Sequence, residues 1–211
     1  MSAVVVFGAT GSIGRAIVAE LVRRGHQVTG VSRRGAGPVA GVTPAVGDAS
    51  SAADVARLAA GADVVISATG PARDGSDPAG SQEAVARSLV EGLRAAGVGR
   101  LIVVGGAGSL RQGGGRHVDS PGFPDAWKPA ALDAVRARDF YLTVRDIDWL
   151  YVSPAAVIEP GERTGTFRVG RDELLTDAAG ASRISIDDYA MGLVDQLEQP
   201  AAHRAQLTLA Y

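Results

Sequence analysis

Seven residues, Gly8-Ala9-Thr10-Gly11-Ser12-Ile13-Gly14, space three glycines three apart. They lie between the β-branched run Val4 to Val6 and an amphipathic stretch that stops at Gly25. The chemistry such a turn suits is the grip of a backbone on a pyrophosphate. Gly8 permits the tight turn off a strand. Gly11 has no side chain to hold a phosphate away. Gly14 lets a helix lie close on the strand. The N–H groups and dipole at the start of that helix then face the negative charge. A glycine pattern alone is weak, but this one follows a strand and opens a helix. The plainer alternative is a glycine-rich turn in a chain with 28 glycines.

The type of dinucleotide is read at the end of the second strand. A site selecting NAD places Asp or Glu there, to accept from the ribose hydroxyls. Here the residues are Ser32, Arg33 and Arg34, with no acid. Two guanidiniums and a hydroxyl suit the 2′-phosphate of NADP, which arginine can hold bidentately. A pair of solvated surface arginines is the alternative. Asp48, after the third strand, is placed to receive an adenine amino group. The stretch Ser67 to Pro71 (SATGP) ends the fourth strand, and its backbone at Thr69 and Gly70 can run past a cofactor ribose.

The elements that must position these residues alternate. Strands are expected over 3–8, 27–33, 43–48, 63–70, 100–106 and 148–154, with a closing strand over 205–211. Helices are expected over 12–25, 51–61, 81–97, 125–144 and 183–200. Strands made almost wholly of Val and Ile are buried on both faces, as in a parallel sheet covered by helices. The alternation gives a doubly wound α/β fold with helices on both faces, a Rossmann sheet in a single domain. A small substrate-side segment is expected over about 154–211. Residues 107–124 are irregular and rich in Gly and Pro. Following the fifth strand, they belong at the carboxyl edge, as a lid over the ligand or as an ordinary surface loop.

Composition removes several classes of function. The 211 residues fit one domain with a sizeable core, and 46% are hydrophobic, too many for a disordered chain. A net charge of -2 argues against a nucleic-acid surface. There is no cysteine, which excludes disulfides and thiolate metal sites. His26, His117 and His203 show no ligand spacing and are expected on the surface, so no metal is expected. No signal peptide is visible and no apolar run approaches the ~18 residues of a bilayer span, so a soluble cytoplasmic protein is expected.

GATGSIG, SATGP and the fifth-strand VVGGAGSL (Val103 to Leu110) together resemble the atypical short-chain dehydrogenase/reductases. The chain is most similar to their NAD(P)H-binding, NmrA-like subgroup of NADH-flavin reductases, akin to biliverdin reductase B. DWLYVSPAAVIEPGERTG and SRISIDDYA resemble that subgroup's late motifs. The resemblance implies Gly8, Thr10, Gly11, Ser12 and Ile13 at the pyrophosphate, with Ala9 in the same turn, and Arg33 at the adenosine phosphate. It implies Thr69 and Gly70 along the ribose, and Gly106, Ala107, Pro154, Ala155 and Ala156 near the nicotinamide.

The larger superfamily protonates substrate with a Tyr-x-x-x-Lys pair. The nearest match is Tyr141-Leu-Thr-Val-Arg145, near the end of its helix. From Trp127, at 1.5 Å per residue, Tyr141 lies roughly 20 Å from the cofactor edge, and core packing is its expected role. Arg145 also substitutes poorly for Lys in tuning a tyrosine. Ser109 remains as the catalytic candidate, able to hydrogen-bond a carboxamide or a substrate carbonyl, or else merely to cap its loop. Lys128 is expected as a solvated charge, and His117 as a donor to an anionic substrate or a loop residue. A flavin or quinone needs little acid catalysis, so the missing pair suits an NADPH-dependent reductase of a planar acceptor. The same absence suits a non-enzymatic NADP-binding redox regulator. A sugar-epimerase-like enzyme is a third reading, for which the C-terminal segment is short.

Overall fold

The computed structural model describes residues 1–35, 40–70 and 81–211. Five central strands are β1 (Ala3–Phe7), β2 (Gln27–Ser32), β3 (Val42–Val46), β4 (Val64–Ser67) and β5 (Arg100–Val104). A two-residue hairpin follows, β6 (Arg111–Gln112) with β7 (Gly115–Arg116). The remaining strands are β8 (Asp148–Pro154), β9 (Val157–Glu159), β10 (Arg168–Gly170), β11 (Arg183–Ser185) and β12 (Ala205–Ala210). The helices are α1 (Ser12–Arg23), α2 (Ala52–Ala59), α3 (Ser81–Ala96), α4 (Lys128–Tyr141) and α5 (Ile186–Glu198).

The main sheet has eight strands in the order β10-β12-β8-β5-β4-β1-β2-β3. All its pairings are parallel except β10 with β12. The order reverses between β1 and β4, which makes their carboxyl ends the switch-point crevice of a doubly wound fold. The fold is therefore a Rossmann-like α/β domain, as the alternation of strands and helices implies.

Each central strand sends alternate side chains to two cores. Val4, Val6, Ile66, Ile102, Leu150 and Val152 pack against α1 and α5. Val5, Phe7, Val65, Leu101, Val103 and Trp149 pack under α2, α3 and α4. β3 is an edge strand and mostly solvent-facing, which is why its sequence signal is faint and why Pro44 is tolerated there. At the amino edge the Arg24 guanidinium ties α1 to α5, donating to Glu20 at 2.7 Å, Asp195 at 2.7 Å and Glu198 at 2.7 Å.

Three expectations are corrected. His26 is buried rather than on the surface; its Nδ1 accepts from the Ser2 amide at 3.2 Å and its Nε2 meets Glu198 at 3.1 Å. The expected helix 125–144 is shorter. Its first three residues form a 3-10 turn, Asp125–Trp127, and Pro129 sits in the first turn of α4, where its missing N–H costs nothing. The segment after Pro154 holds three further short strands, β9, β10 and β11, each too brief to leave a readable period in the sequence.

Helix α3 crosses α2 at Gly92, where an added Cβ would lie 2.5 Å from the Val55 Cβ and 2.7 Å from the Ala52 carbonyl oxygen. Gly92→Ala should therefore destabilise the protein by ~1–3 kcal/mol through overpacking. A urea titration should show a lower midpoint with an unchanged slope.

Candidate functional site

The glycine turn is set by steric exclusion. Gly8 has φ +80°, and a Cβ there would lie 2.5 Å from the Ala68 carbonyl oxygen. A Cβ on Gly14 would lie 2.1 Å from the Gly8 carbonyl oxygen, so α1 can sit this close to the turn only without one. Gly11 is different: it is exposed, and its added Cβ would meet nothing nearer than the Gly8 oxygen at 3.5 Å. Its bareness serves the outer side. Gly11 is the N-cap of α1 and so offers no side chain to the first N–H groups of the helix. The Gly11 amide donates to the Gly8 oxygen at 3.1 Å, and Arg15 Nε donates to the Thr10 oxygen at 2.9 Å. Thr10, Gly11 and Ser12 are exposed around this open helix end. Such a donor set, with no capping side chain in front of it, fits a pyrophosphate.

The adenosine side follows β2. The Gly8 and Ala9 amides both donate to the Val31 oxygen, at 3.1 and 3.3 Å, locking the turn to the end of β2. The Ser32 hydroxyl is buried and has no hydrogen-bond partner among the described residues. Arg33 and Arg34 are exposed, and among the described residues neither has an ion-pair partner. An orphaned hydroxyl beside two unpaired guanidiniums fits an oxyanion. Asp48 turns one carboxylate oxygen back on its own loop, accepting from the Ser50 amide at 2.9 Å and the Ser50 hydroxyl at 2.8 Å.

The other half of the crevice lies over β4, β5 and β8. Ser67 and Thr69 share a hydrogen bond of 2.8 Å between their hydroxyls, and Gly70 is exposed beyond them. Pro71 lies outside the described residues. Gly106 and Ala107 follow β5. Pro154 ends β8, with Ala155 buried after it; the Ala156 amide donates to the Ser182 hydroxyl at 3.1 Å. The structure thus brings the expected cofactor residues together along one edge of the sheet. Ile13 is half-buried at the same helix end.

Ser109 faces inward. It is buried; its hydroxyl donates to the Gly106 oxygen at 3.4 Å and accepts from Gln206 Nε2 at 2.8 Å. His117 Nδ1 meets Gln112 Oε1 at 2.7 Å, its ring stands edge-on to Phe123, and burial pushes its pKa down, which favours the neutral imidazole. A neutral imidazole brings no charge to an anion. Lys128 opens α4 and is half-buried. The irregular segment is pinned from within by Leu110 and Val118, both fully buried. Its backbone pairs outward as well: the Arg111 amide donates to the Asp172 oxygen at 2.7 Å and the Leu174 amide to the Arg111 oxygen at 2.9 Å. Its exposed tip is the turn at Gly113 and Gly114, between the paired Gln112 and Gly115.

Tyr141 is buried against Trp149 and Tyr151, with ring centroids at 6.0 and 6.3 Å. Burial, with a lesser push from Tyr151, raises its phenol far above the ordinary range. Its hydroxyl makes no hydrogen bond among the described residues. Its ring lines a small cavity together with Ser67, Thr69, Gln82 and Tyr151. A helical side chain leans back toward its N-terminus, so rise along the axis overstates the separation of this ring from the carboxyl edge. Near the start of α4, where a proton donor would face the crevice, stand alanines: Ala134 is 3.5 Å from a Cβ built on Gly106, and Ala131 is 3.2 Å from one built on Gly108.

Three contributors carry no sequence signal. Arg15 supports the glycine turn from one helical turn away. Gln206 and Ser153 reach the β5 loop from other strands, Gln206 at a separation of 97 residues from Ser109. Among the described residues there is no cluster of three or more potential metal ligands, and no helix is long and apolar enough to cross a membrane.

A parallel sheet with an open helix end at its switch point defines a dinucleotide-binding Rossmann protein. The chain belongs to the NAD(P)H-binding family, whose family model matches residues 8–200. It is similar to a Burkholderia pseudomallei protein provisionally named as exported, at 47% identity over 100% of both chains, with a TM-score of 0.92. It is similar to a Streptococcus pneumoniae protein provisionally named an NADH-flavin reductase, at 31% identity over 100% of this chain and 99% of that one, with a TM-score of 0.83. The uncharacterised Bacillus subtilis protein YwnB is 33% identical, over 97% of this chain and 96% of its own.

Because the Tyr141 hydroxyl has no partner to lose among the described residues, Tyr141→Phe should leave the melting temperature unchanged or higher. Any hydride transfer should stay within a few-fold of wild type. A fall of ~100-fold in turnover, with folding intact, would give the phenol a proton-donating role.

Proposed function

We propose that this protein is a cytoplasmic NADPH-dependent reductase that passes hydride to a planar conjugated acceptor such as a flavin or quinone. Ala131 and Ala134 on the inner face of α4 carry the reading. Where a carbonyl reductase needs a proton donor, this chain offers methyl groups, and the nearby Tyr141 is buried with its phenol pushed far above the ordinary range. A conjugated ring delocalises the incoming electron pair, so orientation and exclusion of water are most of what the protein must supply. NADPH supplies the hydride, and the reduced acceptor takes its proton from solvent.

The open helix end and the residues gathered at the carboxyl edge support an assignment of the residues that would hold the cofactor. The amides of Thr10, Ser12 and Ile13 would face the pyrophosphate, with Gly11 leaving the approach to them bare. Ser32, Arg33 and Arg34 take the 2′-phosphate, and Asp48 has an oxygen turned away from Ser50 for the adenine amine. Thr69 and Gly70 line the ribose. Gly106, Ala107 and Pro154 to Ala156 form the floor beneath the nicotinamide, with the acceptor against the segment 154–211. The similarity to a protein named an NADH-flavin reductase supports the acceptor class.

Two measurements test this. NADPH oxidation against a panel of flavins and quinones, with a ketone control, should show turnover on the planar acceptors and none on the ketone. Tight cofactor binding without turnover on any acceptor would instead indicate a redox-sensing regulator. Arg33→Ala should weaken NADPH binding by ~1.5–3 kcal/mol, the scale of a charged hydrogen bond, with little change for NADH. Equal affinity of the wild-type protein for both cofactors would overturn the assignment of NADPH.

A further inference from the structure

The peptide at Gly106 is held on both sides by groups from elsewhere in the fold. Its amide donates to the Tyr151 hydroxyl at 3.2 Å, and that hydroxyl donates to the Ala134 oxygen at 3.1 Å. Its carbonyl oxygen accepts from the Ser153 hydroxyl at 3.0 Å and the Ser109 hydroxyl at 3.4 Å. A hydroxyl has one proton to give, and it points wherever its other partners leave free. Here the other partner of both hydroxyls is one side-chain amide. Gln206 Nε2 donates to Ser109 Oγ at 2.8 Å and to Ser153 Oγ at 2.9 Å. Arg138 Nε donates to Gln206 Oε1 at 3.0 Å, which settles which end of the amide is which.

We infer that Gln206 is a positioning residue for the crevice. By donating to both Ser109 and Ser153, it commits their protons to the Gly106 carbonyl and fixes the backbone that follows β5. Gly106 sits at the carboxyl end of β5, in the half of the sheet that must take the second nucleotide of a dinucleotide spanning the β1–β4 switch point. Gln206, Ser109 and Ser153 are all buried, so the network works in a low-dielectric setting, where a complete set of hydrogen bonds rigidifies and an incomplete one is costly. Ser109 is then a support of the cofactor floor, its hydroxyl proton already taken, rather than a group that touches substrate. None of these hydrogen bonds reaches the glycine turn or Arg33, so the effect of the network is confined to the nicotinamide end.

The inference rests on the cofactor reading above, and the experiment separates the two. Gln206→Glu keeps the shape, and beside Arg138 it carries a carboxylate that accepts from Arg138 but cannot donate. Both serine hydroxyls must then turn toward the carboxylate and leave the Gly106 oxygen. Dissociation constants are measured for NADPH and for 2′-phospho-ADP-ribose, a fragment that lacks nicotinamide. The variant should bind NADPH about tenfold or more weakly, bind the fragment within about twofold of wild type, and exchange amide hydrogens faster over 106–110. If Gln206→Glu does not fold, Ser153→Ala and Ser109→Ala each remove one of the two donors to Gly106. They should show the same split with smaller losses. Equal weakening of both ligands, or no weakening of either, overturns the positioning role while the cofactor reading stands. A wild-type protein that binds neither ligand overturns the cofactor reading, and the positioning role with it.

Discussion

The contact on which the crevice depends is the approach of α1 to the end of β1. The Gly14 Cα faces the Gly8 carbonyl so closely that a single methyl group would overlap it, at 2.1 Å. This proximity aims the open end of α1 across the switch point instead of past it. The neighbouring strands are arranged around the same contact. Val31 of β2 accepts two amides from the turn, and Ala68, after β4, closes over Gly8 with no room for a Cβ. Three strands and a helix are locked by groups that have no side chain, so the turn is rigid, and its outward face presents backbone N–H groups. A preformed donor set of this kind binds an anion without first paying to order itself.

The second half of the crevice is held by a different principle. No steric exclusion dictates the path of residues 105–110 as it does at Gly14, apart from Gly105, where a Cβ would strike the Tyr151 ring at 2.3 Å. Hydrogen bonds fix the path there instead. They come from Tyr151 on one strand, Ser153 further along it and Gln206 on the last strand, so the floor is complete only when the whole sheet has assembled. The pyrophosphate turn is local and built early in the chain, whereas the opposite floor is assembled from distant segments. The two halves differ accordingly in what they must hold. On the proposed reading, one end would hold the constant pyrophosphate and the other the nicotinamide and its acceptor.

That division also explains how much is legible in the sequence. The glycine turn, the arginines after β2, the alternation of strand and helix and the burial of Tyr141 all rest on spacing within a few residues, and spacing survives in one dimension. Ser109 is visible as a serine in the right loop, but its partners are distant: Ser153, on β8, shares its acceptor, and Gln206 lies on the last strand. Nothing local marks Gln206, because in a closing strand it reads as one polar residue among apolar ones. His26 reads as surface because a lone histidine before a strand has no pattern; Ser2 and Glu198 bury it from both termini. The strands β9, β10 and β11 are illegible because such short segments cannot show a period of two.

The same distinction bears on how catalysis is distributed. In a site where a side chain donates a proton, rate depends on one group and its pKa. Here the tyrosine that matches in type has its phenol raised by burial, the histidine is lowered by burial, and the serine hydroxyl donates a hydrogen bond to a backbone carbonyl. The histidine and the serine are both engaged within the fold, and the tyrosine ring is packed in the core. What the crevice retains is oriented backbone, two guanidiniums at one end that are unpaired among the described residues, and methyl groups at the other. Such a surface can hold a charged nucleotide firmly and leave an apolar shelf beside its reactive ring. On the proposed reading, orientation of two stacked planes there would be worth several kcal/mol of barrier without any proton transfer, and it is a contribution that rigid backbone, more than mobile side chains, is suited to make.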